Sequence, residues 1–335
     1  MKKSKALICI LSSLLLIITS FAGCKKEEVL KEVRLNEVVH SIFYAPQYVA
    51  LEKGFFEEEG LKITLDVGQG ADKSMTALLS DSADIALLGT EAGLYVYNEG
   101  KENYAMSFAQ LTQRAGNFLV SRKDEPNFKW TDLKSYSVIG GRIGGMPELV
   151  LEYVLKENGL TPGTDMEIIN NISFTSTSGA FVADVGDYTV EFEPVATTLE
   201  EQGNGYIVAS LGEASGYLPY TVYMATKDYI SQNPDTIQKF TNAIYKGQMW
   251  VDSHTSAEIA EVCLPYFEDS NIDTLTKIID RYKSQDTWKT NPVFDPDGFE
   301  LIQDIMEDGG ELSSRVPYDS FITNEFADKA VKTVK

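Results

Sequence analysis

Residues 53–61 read KGFFEEEGL, a short aromatic and acidic stretch that lies between two apolar segments. Before it, Glu32–Val39 has the composition of a β-strand. Pro46–Glu59, which overlaps the start of the stretch, has the apolar spacing of a helix that Gly54 interrupts. After it, Leu61–Val67 alternates apolar and polar residues, as a half-buried strand does. The stretch therefore predicts the link between the helix and the second strand of a β-α-β unit.

The same alternation of strands and helices continues along the chain as far as residue 226. Further strands are predicted at Asp84–Leu88, Ala105–Leu111, Phe118–Ser121, Ser137–Gly141, Glu167–Ile172, Tyr188–Phe192, Tyr206–Ser210 and Val222–Thr226, and further helices at Asp72–Leu79, Glu91–Asn98, Trp130–Leu133 and Pro147–Asn158. Such alternation is typical of α/β folds with mostly parallel sheets. Later in the chain the pattern indicates helices alone, at Asn233–Ser253, Ser256–Phe267, Ile272–Ser284, Asp297–Asp308 and Asp319–Val331.

This order of elements predicts how the chain is divided. We expect two α/β lobes around a central cleft, joined by segments that cross between them near Gly116–Ser121 and Leu218–Tyr223. Lobe 1 is expected to comprise residues 33–117 and 222–335, with the helical C-terminal part packed on it. Lobe 2 is expected to comprise residues 118–221.

Composition excludes several classes of protein. The chain has 335 residues, of which 43% are hydrophobic and 24% charged, as in a globular protein of about two domains. Its net charge of −21 argues against nucleic-acid binding, which needs clustered Lys and Arg. Three cysteines and two histidines leave few ligands for a zinc site or an iron–sulfur cluster, so we expect no metal and no cofactor.

The first residues have the pattern of a secretory signal. Met1–Lys5 reads MKKSK and is positively charged, whereas Ala6–Ala22 carries no charge. Cys24 follows, and the chain then turns polar. A membrane-spanning helix is the alternative, but it needs about 20 apolar residues, and this segment is slightly short. We expect a signal peptide over residues 1–23 and a linker over residues 24–32.

The Ala-Gly-Cys ending resembles a bacterial lipobox. The resemblance implies that Cys24 is diacylated, becomes the new N-terminus and anchors the protein to the extracytoplasmic face of the cell membrane. Phe21 departs from the lipobox pattern, which usually has Leu or another aliphatic residue there.

Several strand-end motifs together resemble the solute-binding proteins of ABC importers, in the branch that binds nitrate, sulfonates or pyrimidine precursors of thiamine. They are HSIFYAPQYVA at 40–50, KGFFEEEGL at 53–61, GQG at 68–70, ADIALLGTEA at 83–92 and FEP at 192–194. The resemblance extends over essentially the whole chain after the signal. It implies a periplasmic-binding-protein-like fold, shared with pyrimidine-precursor synthases. It also implies a monomer that captures a solute by hinge closure and delivers it to a membrane permease with an ATPase.

Candidate ligand-binding residues lie in the loops that follow the strands, because ligands of open α/β sheets bind there and in clefts between domains. In lobe 1 and the first crossing segment they are His40, Ser41, Phe43, Tyr44, Gln69, Gly70, Thr90, Glu91, Gln110 and Arg114. In lobe 2 and the second crossing segment they are Gly144, Gly145, Met146, Tyr188, Glu193, Tyr217 and Tyr220.

The residue types in these loops point to a polar, planar ligand, although each has a purely structural alternative. Aromatic rings such as Phe43 and Tyr44 either stack on a flat solute or only pack the next helix. His40 either bonds a ring nitrogen or caps its loop. The glycines of residues 68–70 and 140–145 let a polar ligand group approach the backbone, and the second stretch lacks the Gly-Lys-Ser/Thr ending of a nucleotide-hydrolysing loop.

Three further residues have two readings each. Thr90 is either a cleft residue or a helix cap. Arg114 either pairs with an acidic ligand group or closes the two lobes through a surface ion pair. By resemblance to pyrimidine-binding members, Glu193 reaches the cleft, where a carboxylate accepts two N–H donors of an aminopyrimidine and repels nitrate or sulfonate. Its alternative is a solvent-exposed loop carboxylate.

The preferred solute is therefore a flat heteroaromatic molecule, with a pyrimidine precursor of thiamine first, riboflavin as a close rival, and sulfonate, taurine or nitrate after them. Two other classes of protein remain as alternatives. A pyrimidine-precursor synthase of this fold depends on iron and Cys/His-rich segments, whereas His40, His254 and Cys263 are far apart here. A stand-alone surface sensor would carry the same lipobox and two lobes.

Overall fold

Ten strands form two separate sheets in the computed structural model, which describes residues 29–335. In chain order they are β1 (Lys31–Glu37), β2 (Leu61–Val67), β3 (Ile85–Gly89), β4 (Ala105–Gln110), β5 (Asn117–Ser121), β6 (Ser137–Ile139), β7 (Glu167–Ile169), β8 (Tyr188–Phe192), β9 (Tyr206–Ser210) and β10 (Thr221–Thr226). The first sheet has the strand order β2-β1-β3-β10-β4, and the second has the order β7-β6-β8-β5-β9. The predicted α/β architecture is confirmed.

Helices cover the faces of both sheets. In chain order they are α1 (Ala45–Glu52), α2 (Phe55–Glu58), α3 (Ala71–Leu79), α4 (Thr90–Asn98), α5 (Met146–Glu157), α6 (Thr177–Val182), α7 (Val195–Glu201), α8 (Leu211–Ser215), α9 (Lys227–Gln232), α10 (Pro234–Ser253), α11 (Ser256–Cys263), α12 (Ile272–Ser284), α13 (Pro296–Asp308), α14 (Tyr318–Phe321) and α15 (Glu325–Thr333). Single 3₁₀ turns occur at Ile42–Tyr44, Trp130–Leu133, Phe174–Ser176 and Leu264–Tyr266.

None of the helices within residues 29–335 has the length and apolar character of a membrane-spanning segment. The predicted signal peptide over 1–23 and the predicted lipid attachment at Cys24 lie outside the described residues.

The predicted β-α-β unit around residues 53–61 is confirmed. Gly54 separates α1 from α2 and has a φ of 71°, a backbone conformation that glycine adopts without strain. β1 and β2 then pair in parallel along their whole length, from Lys31 opposite Leu61 to Glu37 opposite Val67. The aromatic stretch therefore places the ends of both strands at the same edge of the first sheet.

Each sheet contains one antiparallel strand, and this strand lies next to a crossing between the lobes. β10 runs antiparallel between β3 and β4, and β5 runs antiparallel between β8 and β9. The chain thus passes from one sheet to the other at 111–116 and returns at 211–220. The Thr112 and Thr221 hydroxyl oxygens lie 2.6 Å apart, which holds the two crossing segments side by side. β5 begins at Asn117 and β10 at Thr221, one residue before the expected lobe boundaries.

Two predicted C-terminal helices differ from the structure. The helix expected at Ser256–Phe267 ends at Cys263 and continues as a 3₁₀ turn. The helix expected at Asp319–Val331 is divided into α14 and α15, because residues 322–323 instead bond to the edge of the first sheet. Ile322 forms a parallel bridge with Ser107, and the Thr323 N–H donates to the Ser107 carbonyl. The short helices α6 to α9 were not predicted.

The C-terminal helices contact both lobes, whereas the sequence placed them on lobe 1. α10 packs along α1, and α13 packs against α5 of lobe 2. Lys156 of α5 forms an ion pair with Asp308 at the end of α13. Gly247 allows the close packing of α10, because a Cβ atom there would overlap the Pro46 carbonyl oxygen of α1.

We expect Gly247→Ala to lower the free energy of unfolding by about 1–3 kcal/mol, because the added methyl overlaps fixed backbone. Gly179→Ala in α6 is the control, since nothing lies within 4 Å of the added methyl. That change is expected to raise the free energy of unfolding by about 0.5–1 kcal/mol through helix propensity. Urea unfolding of both variants measures the difference, and equal stabilisation by the two alanines would contradict the packing described.

Candidate functional site

A cleft lies where strand ends of both sheets meet the second crossing segment. It contains about 650 Å³ of empty space, including its mouth. Its lining consists of Val38, Val39 and Tyr44 after β1, Gly70 and Ala71 after β2, Gly89 at the end of β3, Glu91 of α4, Gly141, Arg142, Gly145, Met146 and Pro147 after β6, Phe192 of β8, Tyr220 of the crossing segment, and Thr221 at the start of β10. The largely apolar lining suits a small ligand with apolar faces.

Three aromatic side chains from different loops form much of the apolar wall. Tyr44, Phe192 and Tyr220 are all buried and all line the cleft. The Phe192 and Tyr220 ring centroids are 6.2 Å apart. Phe43 lies behind this wall and contacts all three rings, with no surface of its own in the cleft. Of the two readings for the loop after β1, packing therefore holds for Phe43, whereas Tyr44 faces the cleft.

Glu91 is the buried acid of the cleft. Its side chain is 3% exposed, in the first turn of α4. Oε1 accepts the Met146 N–H at 3.4 Å, and Oε2 has no hydrogen-bond partner among residues 29–335. Burial raises the pKa of Glu91 to about 7, although nearby backbone N–H groups and the Arg142 guanidinium partly offset the rise. The group is therefore poised to ionise near neutral pH.

The glycine-rich loop of residues 140–145 belongs to lobe 2 and makes non-covalent contacts with lobe 1 across the mouth of the cleft. Arg142 of this loop forms an ion pair with Asp72 of α3, with 3.6 Å between nitrogen and oxygen. The Tyr95 hydroxyl of α4 donates to the Gly144 carbonyl at 2.8 Å. Gly144 thus contacts the other lobe without lining the cleft, whereas Gly145 and Met146 line it.

His40 and Ser41 bond to other parts of the protein and do not line the cleft. The His40 ring bonds the Glu37 carboxylate at 2.9 Å and donates to the Tyr266 carbonyl at 2.7 Å. Glu37 thereby raises the pKa of His40, while burial raises the pKa of Glu37 itself. The Ser41 hydroxyl donates to the Glu193 carbonyl oxygen at 2.5 Å. Both residues therefore stabilise the loop that presents Tyr44.

Glu193 is buried, but its carboxylate does not face the cleft as the family resemblance implied. The carboxylate accepts both the backbone N–H and the hydroxyl of Thr197, each at 2.9 Å. It also forms an ion pair with Arg281 of α12. Burial raises the pKa of Glu193, and the Arg281 charge opposes that rise. This carboxylate is already fully bonded, so its role is to tie the end of β8 to α12.

Other predicted residues also lie outside the cleft lining. The Thr90 hydroxyl donates to the Pro219 carbonyl, and the Gln110 amide donates to the Thr112 carbonyl. Arg114 stacks over the Tyr217 ring at 3.9 Å, beside the crossing segments. The remaining two are Tyr188, whose hydroxyl bonds Glu125 within lobe 2, and Gln69, which has a φ of 58° in the loop before α3.

The structure brings together six of the predicted residues in the cleft, which are Tyr44, Gly70, Glu91, Gly145, Met146 and Tyr220. Val38, Val39, Arg142 and Phe192 also line it and were not on the predicted set. Their positions carried the same signal, since Val38, Val39 and Phe192 lie at or directly after a strand end and Arg142 lies in the loop after β6.

We expect Arg281→Met to lower the free energy of unfolding by about 3 kcal/mol, because it leaves the buried Glu193 carboxylate without its cation. Lys277→Met, one turn earlier on α12, is the control. It removes a more exposed ion pair with Glu200 and is expected to cost less than about 1 kcal/mol. Urea unfolding at neutral pH compares the variants, and equal losses would contradict the structural role of the Glu193 pair.

Comparisons with known proteins agree with this architecture. The family described as "NMT1/THI5 like" matches residues 42–256. "Putative binding protein YtlA" of Bacillus subtilis (strain 168) is 45% identical over 92% of this chain and 93% of its own length.

Two solved structures share the fold. The alkanesulfonate-binding protein SsuA from Xanthomonas axonopodis pv. citri, bound to MOPS, has a TM-score of 0.70 at 16% identity, covering 88% of this chain and 98% of that one. The nitrate-binding protein NrtA from Synechocystis PCC 6803 has a TM-score of 0.72 at 17% identity, covering 91% and 89%. The predicted periplasmic-binding-protein-like fold is thus confirmed, and the chain belongs to the NMT1/THI5-like family.

Proposed function

We propose that this protein is the extracytoplasmic solute-binding component of an ABC importer and that it captures a small, flat heteroaromatic solute. The observation that carries the proposal is the cleft wall formed by Tyr44, Phe192 and Tyr220, because aromatic rings recognise planar ligands by stacking. The 45% identical relative named as a binding protein supports the general role. A pyrimidine precursor of thiamine is the favoured solute, and riboflavin is the larger alternative.

Capture follows from the two crossings between the lobes. Residues 111–116 and 211–220 are the covalent links between the sheets, so movement about them opens or closes the cleft. The ion pair between Arg142 and Asp72, together with the bond from Tyr95 to Gly144, joins the lobes at the mouth. A bound solute shifts the protein toward this closed form only if it binds that form more tightly than the open one. The closed monomer then delivers the solute to a permease and its ATPase.

Nitrate and sulfonates are the second solute class. The N-termini of α4 and α5 both reach the cleft, and helix N-termini favour anions. An enzymatic role as a pyrimidine-precursor synthase has less support, because none of the described residues that line the cleft is Cys or His.

Anchoring by a lipid on Cys24 is the remaining part of the proposal. The N-terminal sequence supports it through its charged start, apolar run and Ala-Gly-Cys ending. A lipid there would keep the binding protein beside its permease on the extracytoplasmic face of the membrane.

Thermal unfolding with a panel of solutes tests the proposed function. At about 100 times its Kd, a true solute stabilises the protein by about 2.7 kcal/mol, so hydroxymethylpyrimidine or riboflavin should raise the Tm. Tyr220→Leu should weaken that binding at least about tenfold, or about 1.4 kcal/mol, in calorimetry. Tyr206→Leu, a tyrosine outside the cleft, should leave it unchanged. A Tm shift with taurine or nitrate alone would reject the flat solute and favour the second class.

For the anchor, we expect Cys24→Ala to abolish incorporation of labelled palmitate and to release the protein from the membrane fraction of a bacterial host. Cys263→Ala is the matched control, because Cys263 is a buried core residue. Equal membrane association of both variants would reject lipidation at Cys24.

A further inference from the structure

We propose that Glu91 selects the solute by charge: its carboxylate binds an N–H donor group of the solute, of the amidinium or amine class, and repels anions. This inference deepens the proposed function and rests on it. It concerns a different carboxylate from Glu193, which the family resemblance placed in the cleft and which the structure pairs internally.

Two buried polar atoms in the cleft wall have no hydrogen-bond partner among the described residues. They are Oε2 of Glu91 and the hydroxyl of Tyr220, in side chains that are only 3% and 2% exposed. Most buried polar atoms in proteins are hydrogen-bonded, because an unbonded one loses its hydration without compensation. Both atoms belong to residues that line the same cleft, so a solute is the natural source of the missing bonds.

The Glu91 carboxylate also lies at the N-termini of α4 and α5, where the helix dipoles would otherwise stabilise a bound anion. It folds back over the start of its own helix, so closely that a Cβ atom on Gly89 would overlap it. It accepts the Met146 N–H at the start of α5 as well. The positive ends of α4 and α5 are therefore already matched by a negative charge of the protein. An anionic solute would have to lie beside that charge in a site with little water.

The other charged groups near the Glu91 carboxylate also favour a cationic solute. Arg142 is the nearby positive charge, but its side chain is 55% exposed and already pairs with Asp72. Glu148 is buried close by and accepts the Gly144 N–H at 3.1 Å. The titratable and charged groups that surround this region are Tyr44 from the loop after β1, Tyr95 from α4, Arg142 and Glu148 from lobe 2, Tyr220 from the crossing segment, and Glu311 after α13.

Affinity should then depend on pH in a defined direction. Because burial raises the pKa of Glu91 to about 7, the group is mostly protonated at about pH 5.5 and mostly ionised at about pH 8. A solute cation binds the ionised form, so its affinity rises as the pH rises through the pKa. A protonated Glu91 that donated to the solute would give the opposite slope.

Three flat probes of one shape test the charge preference: benzamidine, benzamide and benzoate, measured by calorimetry on the protein without its signal sequence. At about pH 8 we expect benzamidine to bind at least about tenfold more tightly than benzamide, and benzoate to bind weakest. For benzamidine, whose charge is fixed over this range, affinity should fall at least about tenfold at about pH 5.5.

Glu91→Gln should remove both the preference for benzamidine and its pH dependence. Glu191→Gln is the matched control: this acid is also buried, with a pKa that burial raises to about 7, but it does not line the cleft, so both effects should persist in it. Gly89→Ala provides an independent variant: its φ of −65° suits alanine, and the new methyl displaces the Glu91 carboxylate. It should weaken benzamidine binding without lowering the Tm of the free protein.

The outcomes separate this inference from the proposed function. Benzoate binding as tightly as benzamidine, or a pH slope that persists in Glu91→Gln, would overturn the role of Glu91 and leave the importer role standing. Absence of binding by all three probes would also overturn it, whereas the solute panel described above decides on the importer role separately.

Discussion

Burying a carboxylate costs free energy unless hydrogen-bond donors or a cation surround it, and this constraint shapes the strand ends around the cleft. Glu37 ends β1 and is bonded by side chains of α1 and by His40. Glu193 follows β8 and is bonded by α7 and by Arg281. Each of these acids fixes a loop against a helix. Glu91 follows β3, and one of its carboxylate oxygens has no hydrogen-bond partner among residues 29–335. The loops fixed by Glu37 and Glu193 therefore surround an acid that is left available to a ligand.

The aromatic wall depends on the same arrangement. Tyr44, Phe192 and Tyr220 come from three separate parts of the chain and meet only because the strand ends of both sheets converge. Phe43 packs behind them and is itself covered by Tyr282 of α12 and by the crossing segment at Gly116. Two adjacent residues of one loop therefore have different roles: Tyr44 lines the cleft, and Phe43 packs in the interior. Through Tyr282, the C-terminal helices support the cleft wall from its buried side.

Periodicity and turn residues in the sequence were sufficient to predict the β-α-β unit around residues 53–61, most strands and the long helices, because these depend on local spacing. The same local signal found Tyr44, Glu91 and Tyr220, which follow or precede strands. It misplaced Glu193, because its partner Arg281 lies 88 residues later in the chain. His40 likewise meets Tyr266 across 226 residues. Pairings of that kind have no local pattern and appear only when the fold is known.

The position of β10 also affects the order in which the chain can assemble. All five strands of the second sheet lie within residues 117–210, so that sheet is encoded without interruption. In the first sheet, β3 and β4 do not pair with each other in the described structure. β10 lies between them and pairs with both, although it follows the whole of lobe 2 in the sequence. During synthesis, the second sheet can therefore form from nearby segments, whereas the first is complete only after residue 226 has been made. A chain cut before Thr221 retains a complete second sheet and leaves β4 with no neighbouring strand.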